Sequence, residues 1–180
     1  MQIDSNGLLL GARYVPSPNC DGRPDGAAIE LLVIHNISLP PGEFGGPGII
    51  DLFTNKLDGA AHPFYQGIAQ LEVSAHFLIR RDGELIQFVP CGKRAWHAGE
   101  STWRGRDHCN DYSVGIELEG TDDAAFADIQ YDRLAQLTRA LQGVYAPADI
   151  VGHSDIAPAR KSDPGLCFDW TRFRKLLQPA

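Results

Sequence analysis

The run Glu30-Leu-Leu-Val-Ile-His35 constrains this chain more than any other segment. Its aliphatic core predicts a buried strand. The polar residues that end it predict a strand whose C-terminal end opens onto a site. Further β-rich runs follow at Val73–Ile79 and Glu84–Val89, separated by Arg80-Arg81-Asp82-Gly83, where the Asp-Gly pair favours a tight hairpin. Tyr112–Glu119 alternates as a strand does, and Asp149–Gly152 reads as a short one. Helices are expected from Gly48 to Asn55, from a cap at Asp128, and from Asp169 to Leu177. The middle one carries an apolar stripe of Ile129, Leu134, Leu137, Leu141 and Val144. These elements predict an α/β (α+β) fold, a central mixed sheet flanked by helices, in a single domain over residues 1–180.

Composition excludes several function classes. The net charge is −7, and no basic run marks a nucleic-acid footprint. No apolar stretch is long enough to span a membrane, and the N-terminus lacks the pattern of a signal peptide. A cytoplasmic chain, with neither nucleic acid nor membrane as partner, is the expectation. Cys20, Cys91, Cys109 and Cys167 are scattered without a C-x-x-C pair, so they read as reduced thiols.

The chemistry gathers between Gly152 and Gly165, where His153, Asp155, Lys161 and Asp163 share a stretch broken by Pro158 and Pro164. The residue before a proline is pushed toward extended geometry, which applies to Asp163. Two histidines, His35 and His153, stand where an apolar strand gives way to a loop, the place where open α/β sheets put ligands. Together with Asp163 they would make a three-ligand zinc site with its fourth position open. Their spacing alone also suits an ordinary solvated loop.

Glu117 and Glu119 share one face of their strand. Either could act as a general base, or both could face solvent. Lys161 could stabilise a developing oxyanion or simply pair with Asp155 or Asp163. His76 reads as a core histidine. Ala95-Trp96-His97-Ala98-Gly99 sets an aromatic face beside an imidazole, as in sugar sites or in ordinary packing.

Five strings in this order resemble the cytosolic anhydro-muropeptide branch of the zinc N-acetylmuramoyl-L-alanine amidases. They are Leu32-Val-Ile-His-Asn-Ile-Ser-Leu-Pro-Pro-Gly-Glu-Phe-Gly-Gly46, Val73-Ser-Ala-His-Phe-Leu-Ile79, Arg94-Ala-Trp-His-Ala-Gly99, Cys109–Asp122 and the Gly152–Gly165 loop. The resemblance implies zinc held by His35, His153 and Asp163, with Glu117 activating the attacking water and Lys161 stabilising the tetrahedral intermediate. It places Asn36, Trp96 and His97 near the muramic sugar and the scissile amide. It implies a small-molecule muropeptide substrate and a monomer. A wall-lytic amidase and a non-catalytic muropeptide receptor are the alternatives on the same fold. Some members carry arginine where this chain has Glu72 and His108, which leaves two alternatives here: other groups such as Arg104 or Arg106 serve the stem peptide, or peptide recognition is weaker.

Overall fold

The computed structural model describes residues 1–178. In chain order its strands are β1 (Arg13–Tyr14), β2 (Cys20–Gly22), β3 (Leu31–Ile37), β4 (Phe77–Ile79), β5 (Leu85–Gln87), β6 (Lys93–Ala95), β7 (Thr102–Trp103), β8 (Arg106–Asp107), β9 (Ser113–Glu119) and β10 (Asp149–Gly152). The helices are α1 (Gly48–Phe53), α2 (Asp128–Tyr145), α3 (His153–Ile156) and α4 (Trp170–Leu177). Six strands form the central sheet in the order β1-β5-β4-β9-β3-β10, while β2 pairs with β6 and β7 with β8. Strands β4, β9, β3 and β10 run parallel; β5 opposes β4, and β1 follows β5. The mixed sheet with flanking helices is the expected architecture.

Parallel strands are covered on both faces, which is why β3 is apolar without alternation. On one face Ile34, Phe77 and Ile116 pack against Leu134, Leu137 and Leu141 of α2 and Phe173 of α4. On the other, Leu78, Ile86 and Phe88 meet Ile49, Leu52 and Phe53 of α1. Leu31 and Val33 meet Val151 and Ile156 on that same side. The polar residues His35 and Glu117 emerge on this second face, beyond the apolar part of each strand.

Two expectations about α2 are corrected. Its cap is Ala127, and Asp128 is the first helical residue, paired with Arg172 at 2.6 Å. Ile129 and Val144 are 38% and 52% exposed, whereas Gln130 and Thr138 are buried. Gln130 belongs inside because its amide N–H groups reach Ile79 O (3.2 Å) and Glu119 O (3.0 Å), carbonyls at the ends of β4 and β9. A buried carbonyl left unpaired costs more than a buried glutamine that satisfies two. The hairpin forms as expected, with Gly83 at φ +85°, but its ladder is shorter than the β-rich runs. Asp169 does cap α4, accepting the Arg172 N–H at 2.8 Å. Among the described residues no helix is long and apolar enough to cross a membrane.

Candidate active site and metal centre

The sheet register assembles the site. His35 on β3 lies opposite Glu117 on β9, and Gly152 at the end of β10 lies opposite Ile34. The next residue, His153, therefore leaves β10 level with His35. A row of Glu117, His35 and His153 crosses three parallel strands at their C-terminal ends, where such sheets open. Asp163 is drawn in by the loop after α3, whose Ser154 N–H donates to Asp163 O at 2.9 Å.

Three ligand-type atoms converge here. His35 Nδ1 is 3.0 Å from His153 Nδ1, and each lies 3.1 Å from Asp163 Oδ2. The far nitrogens fix what these atoms can offer. His153 Nε2 lies 3.2 Å from Ala98 O, a pure acceptor, so Nε2 carries a proton and Nδ1 is the nitrogen turned to the cluster. His35 Nε2 lies 3.0 Å from His97 Nδ1, and His97 Nε2 lies 3.0 Å from Ser113 Oγ. With His35 donating to His97 and His97 to Ser113, His35 Nδ1 presents a lone pair. Burial pulls the His35 imidazole down to about 4, so it is neutral at neutral pH.

Two imidazole nitrogens and a carboxylate oxygen converge on one point, the arrangement that a single cation placed between them would hold. Bonds of about 2.0–2.1 Å to a tetrahedral zinc hold donors about 3.3 Å apart, within a few tenths of the spacing here. The donor set therefore fits zinc.

Beside it, Glu117 is 8% exposed, and its Oε2 has no hydrogen-bond partner. Burial first, and the Asp163 carboxylate second, push its carboxyl well above the usual range, while Lys161 opposes them. Glu119 shares the strand face but does other work: it takes Arg80 and the Gly45 N–H on Oε1 and the Arg81 N–H on Oε2, pinning the loop before α1. Neither glutamate faces solvent.

A cavity of about 780 Å³ opens over this cluster, lined by His35, Glu117, His153, Asp163 and Lys161. Trp96, Phe53, Phe64 and Leu71 give it an apolar wall. Asn36 lines it as well, with its amide donating to Asp122 at 2.6 Å. Lys161 is exposed, and among the described residues it forms no ion pair, so neither Asp155 nor Asp163 neutralises it. Asp155 instead accepts the Gly152 N–H at 2.7 Å.

A model of the N-acetylmuramoyl-L-alanine amidase family matches residues 25–166, a span containing every one of these groups. The chain belongs to that family. The amidase is 61% identical over 173 residues to the 1,6-anhydro-N-acetylmuramyl-L-alanine amidase AmpD of Escherichia coli K12, covering 95% of this chain and 94% of that one. A crystal structure of a selenomethionine AmpD derivative superposes with a TM-score of 0.96 at 59% identity, covering 99% of this chain and 100% of the other. The E. coli amidase AmiD, solved in complex with anhydro-N-acetylmuramic acid-L-Ala-D-γ-Glu-L-Lys, matches at TM-score 0.61 and 29% identity, over 86% of this chain and 60% of that one.

Trp96 and His97 line the cavity together with Asn36. In the amidase the His97 ring stands behind His35, with both nitrogens engaged by protein groups. Arg104 and Arg106 are tied to Asp149 (2.9 Å) and Glu30 (3.2 Å) and line no part of the cavity; Arg160 does. The Arg160 guanidinium donates to Ala98 O at 2.8 Å, the carbonyl that also receives His153. Gly115 escaped notice because its role is an absence. A Cβ there would lie 2.4 Å from His97 Cγ, so the glycine makes the recess that admits the ring. His76 is fully buried as expected, accepting the Gly115 N–H at 3.1 Å.

Proposed function

We propose that this amidase hydrolyses the amide joining 1,6-anhydro-N-acetylmuramic acid to L-alanine in soluble muropeptides, with zinc held by His35, His153 and Asp163. The carrying observation is the triangle of three donor atoms 3.0–3.1 Å apart beside a buried carboxylate oxygen that lacks a partner. The substrate class is supported by the AmpD relatives and by the muropeptide complex of AmiD. Bound zinc would polarise the amide carbonyl and lower the pKa of water toward about 7.

Within that reading, Glu117 takes the proton of the attacking water and returns it to the leaving amine of L-alanine. Burial favours its protonated form, the one that donates to the leaving amine. Lys161, a cation at the cavity wall with no ion pair among the described residues, stabilises the negative charge that develops on the carbonyl oxygen. Trp96 offers an aromatic surface to the sugar, and Asn36, fixed by Asp122, offers its remaining polar atoms at the same mouth. A cytoplasmic monomer is part of the same proposal; cell fractionation and light scattering test it.

The decisive experiment is mass spectrometry of products from anhydro- and reducing-end muropeptides, with and without a chelator. Release of intact stem peptide from the anhydro substrate, abolished by chelation and restored by zinc, is the expected result. Full turnover in metal-free protein would overturn the proposed chemistry. Faster release from intact sacculi than from soluble fragments would favour a wall-lytic enzyme instead, and binding without turnover a receptor.

A further inference from the structure

We propose that Asn110 is a positioning residue for the metal site, setting both histidine ligands at once through the loop behind them. This rests on the zinc reading above. The loop runs from Trp96 to Ser101, between the end of β6 and the start of β7, so no strand ladder fixes its backbone. Asn110 supplies what a ladder would. Its side-chain Oδ1 accepts two consecutive backbone N–H groups, from His97 at 3.2 Å and Ala98 at 2.8 Å.

Each of those residues is the outer contact of one ligand. The His97 ring holds His35 Nε2 at 3.0 Å, and the Ala98 carbonyl holds His153 Nε2 at 3.2 Å. A single amide oxygen thus holds the backbone of both outer contacts, alongside Arg160 on the Ala98 carbonyl and Ser113 on the His97 ring. Such outer partners set the tautomer and ring orientation of metal-binding histidines, and their loss typically weakens metal affinity about 10–100-fold.

The anchor is itself fixed. Asn110 lies in a helical turn, Cys109–Asp111, whose Cys109 is fully buried. The Asn110 carbonyl accepts from Arg23 at 3.1 Å, and the same guanidinium group reaches Asp111 O and Ser113 O. Asn110 does not line the cavity, so it has no direct route to the substrate.

The test compares wild type, Asn110→Ala and Asn110→Asp as full chains, reading zinc affinity by competition with a chromophoric chelator. Urea unfolding of the metal-free proteins and the kcat and KM of the zinc-saturated ones are measured alongside. Asn110→Ala is expected to bind zinc about 10–100-fold more weakly, with KM at saturating zinc changed less than twofold. Asn110→Asp keeps an acceptor oxygen in place and is expected to bind zinc at least as tightly as wild type. Should Asn110→Ala fail to fold, Asn110→Ser, which withdraws the oxygen from reach, is expected to show the same loss.

Unchanged zinc affinity in Asn110→Ala overturns the assignment. Equal weakening in Asn110→Ala and Asn110→Asp also overturns it, since the acceptor would then be irrelevant. Absence of zinc binding by wild type would instead strike the zinc reading itself.

Discussion

His35 and Glu117 stand directly opposite one another on adjacent parallel strands, β3 and β9. A proposed metal ligand and the carboxylate proposed as base therefore have their separation set by a backbone ladder rather than by loops. Sites built on strands hold such geometry more tightly than sites built on loops.

Replacing Glu117 by glutamine keeps the shape and removes the proposed base. We expect kcat to fall about 10²–10⁴-fold, with zinc content unchanged and no loss of stability, since the substitution removes a buried ionisable oxygen that has no partner. Steady-state kinetics with metal analysis on the same sample checks this. Activity within tenfold of wild type would assign the base elsewhere.

Lys161→Met separates transition-state stabilisation from folding. The side chain is exposed and free of ion pairs among the described residues, so unfolding free energy should move by no more than about 0.5 kcal/mol. If Lys161 is the proposed oxyanion donor, its loss should lower kcat about 10²–10³-fold. A change confined to KM would reduce Lys161 to a substrate-binding role.

Gly115→Ala and Gly143→Ala should move stability in opposite directions. At Gly115 the new methyl meets the His97 ring at 2.4 Å, and overpacking of this kind costs about 1–3 kcal/mol. Gly143 is exposed within α2 with nothing within 4 Å, so alanine should add about 0.5–1 kcal/mol. Urea unfolding of both variants decides the matter, and a neutral Gly115→Ala would mean that His97 has room to retreat.

Acid sensitivity should trace in part to His76. Burial, aided by the Arg23 guanidinium at 3.2 Å, pulls its imidazole down to about 3 from 6.5. The unfolded chain therefore binds a proton that the folded chain refuses. This contribution to stability is complete above about pH 6.5 and shrinks as pH falls toward 3, with a slope of up to about 1.4 kcal/mol per pH unit. In zinc-free protein His35 and His97 act with the same sign. His76→Asn should flatten the curve of unfolding free energy against pH by about one proton's worth, and identical slopes would exclude His76 as a source.

What could be read from the sequence was what strand ends and breakers announce. His35 and His153 stood out because an apolar run stops at each, and Asp163 because a proline follows it. The α2 stripe holds at Leu134, Leu137 and Leu141 and fails at Ile129 and Val144, because a count of apolar residues does not see that Gln130 has two carbonyls to satisfy. Asn110, Ser113 and Gly115 were invisible as site residues for a related reason. They act through a loop backbone, an imidazole and an empty volume, and none of these relations leaves a local pattern.

The pairing that seats His153 beside His35 joins residues 118 positions apart. A chain made from its N-terminus carries the Leu31–Ile34 run with one edge unpaired until β10 has been synthesised, for β10 is the strand that covers that side. Closing so long a loop is slow, and an apolar strand with an open edge invites pairing with other chains. Assembly of the site and protection from aggregation are thus one late event in the life of the nascent polypeptide.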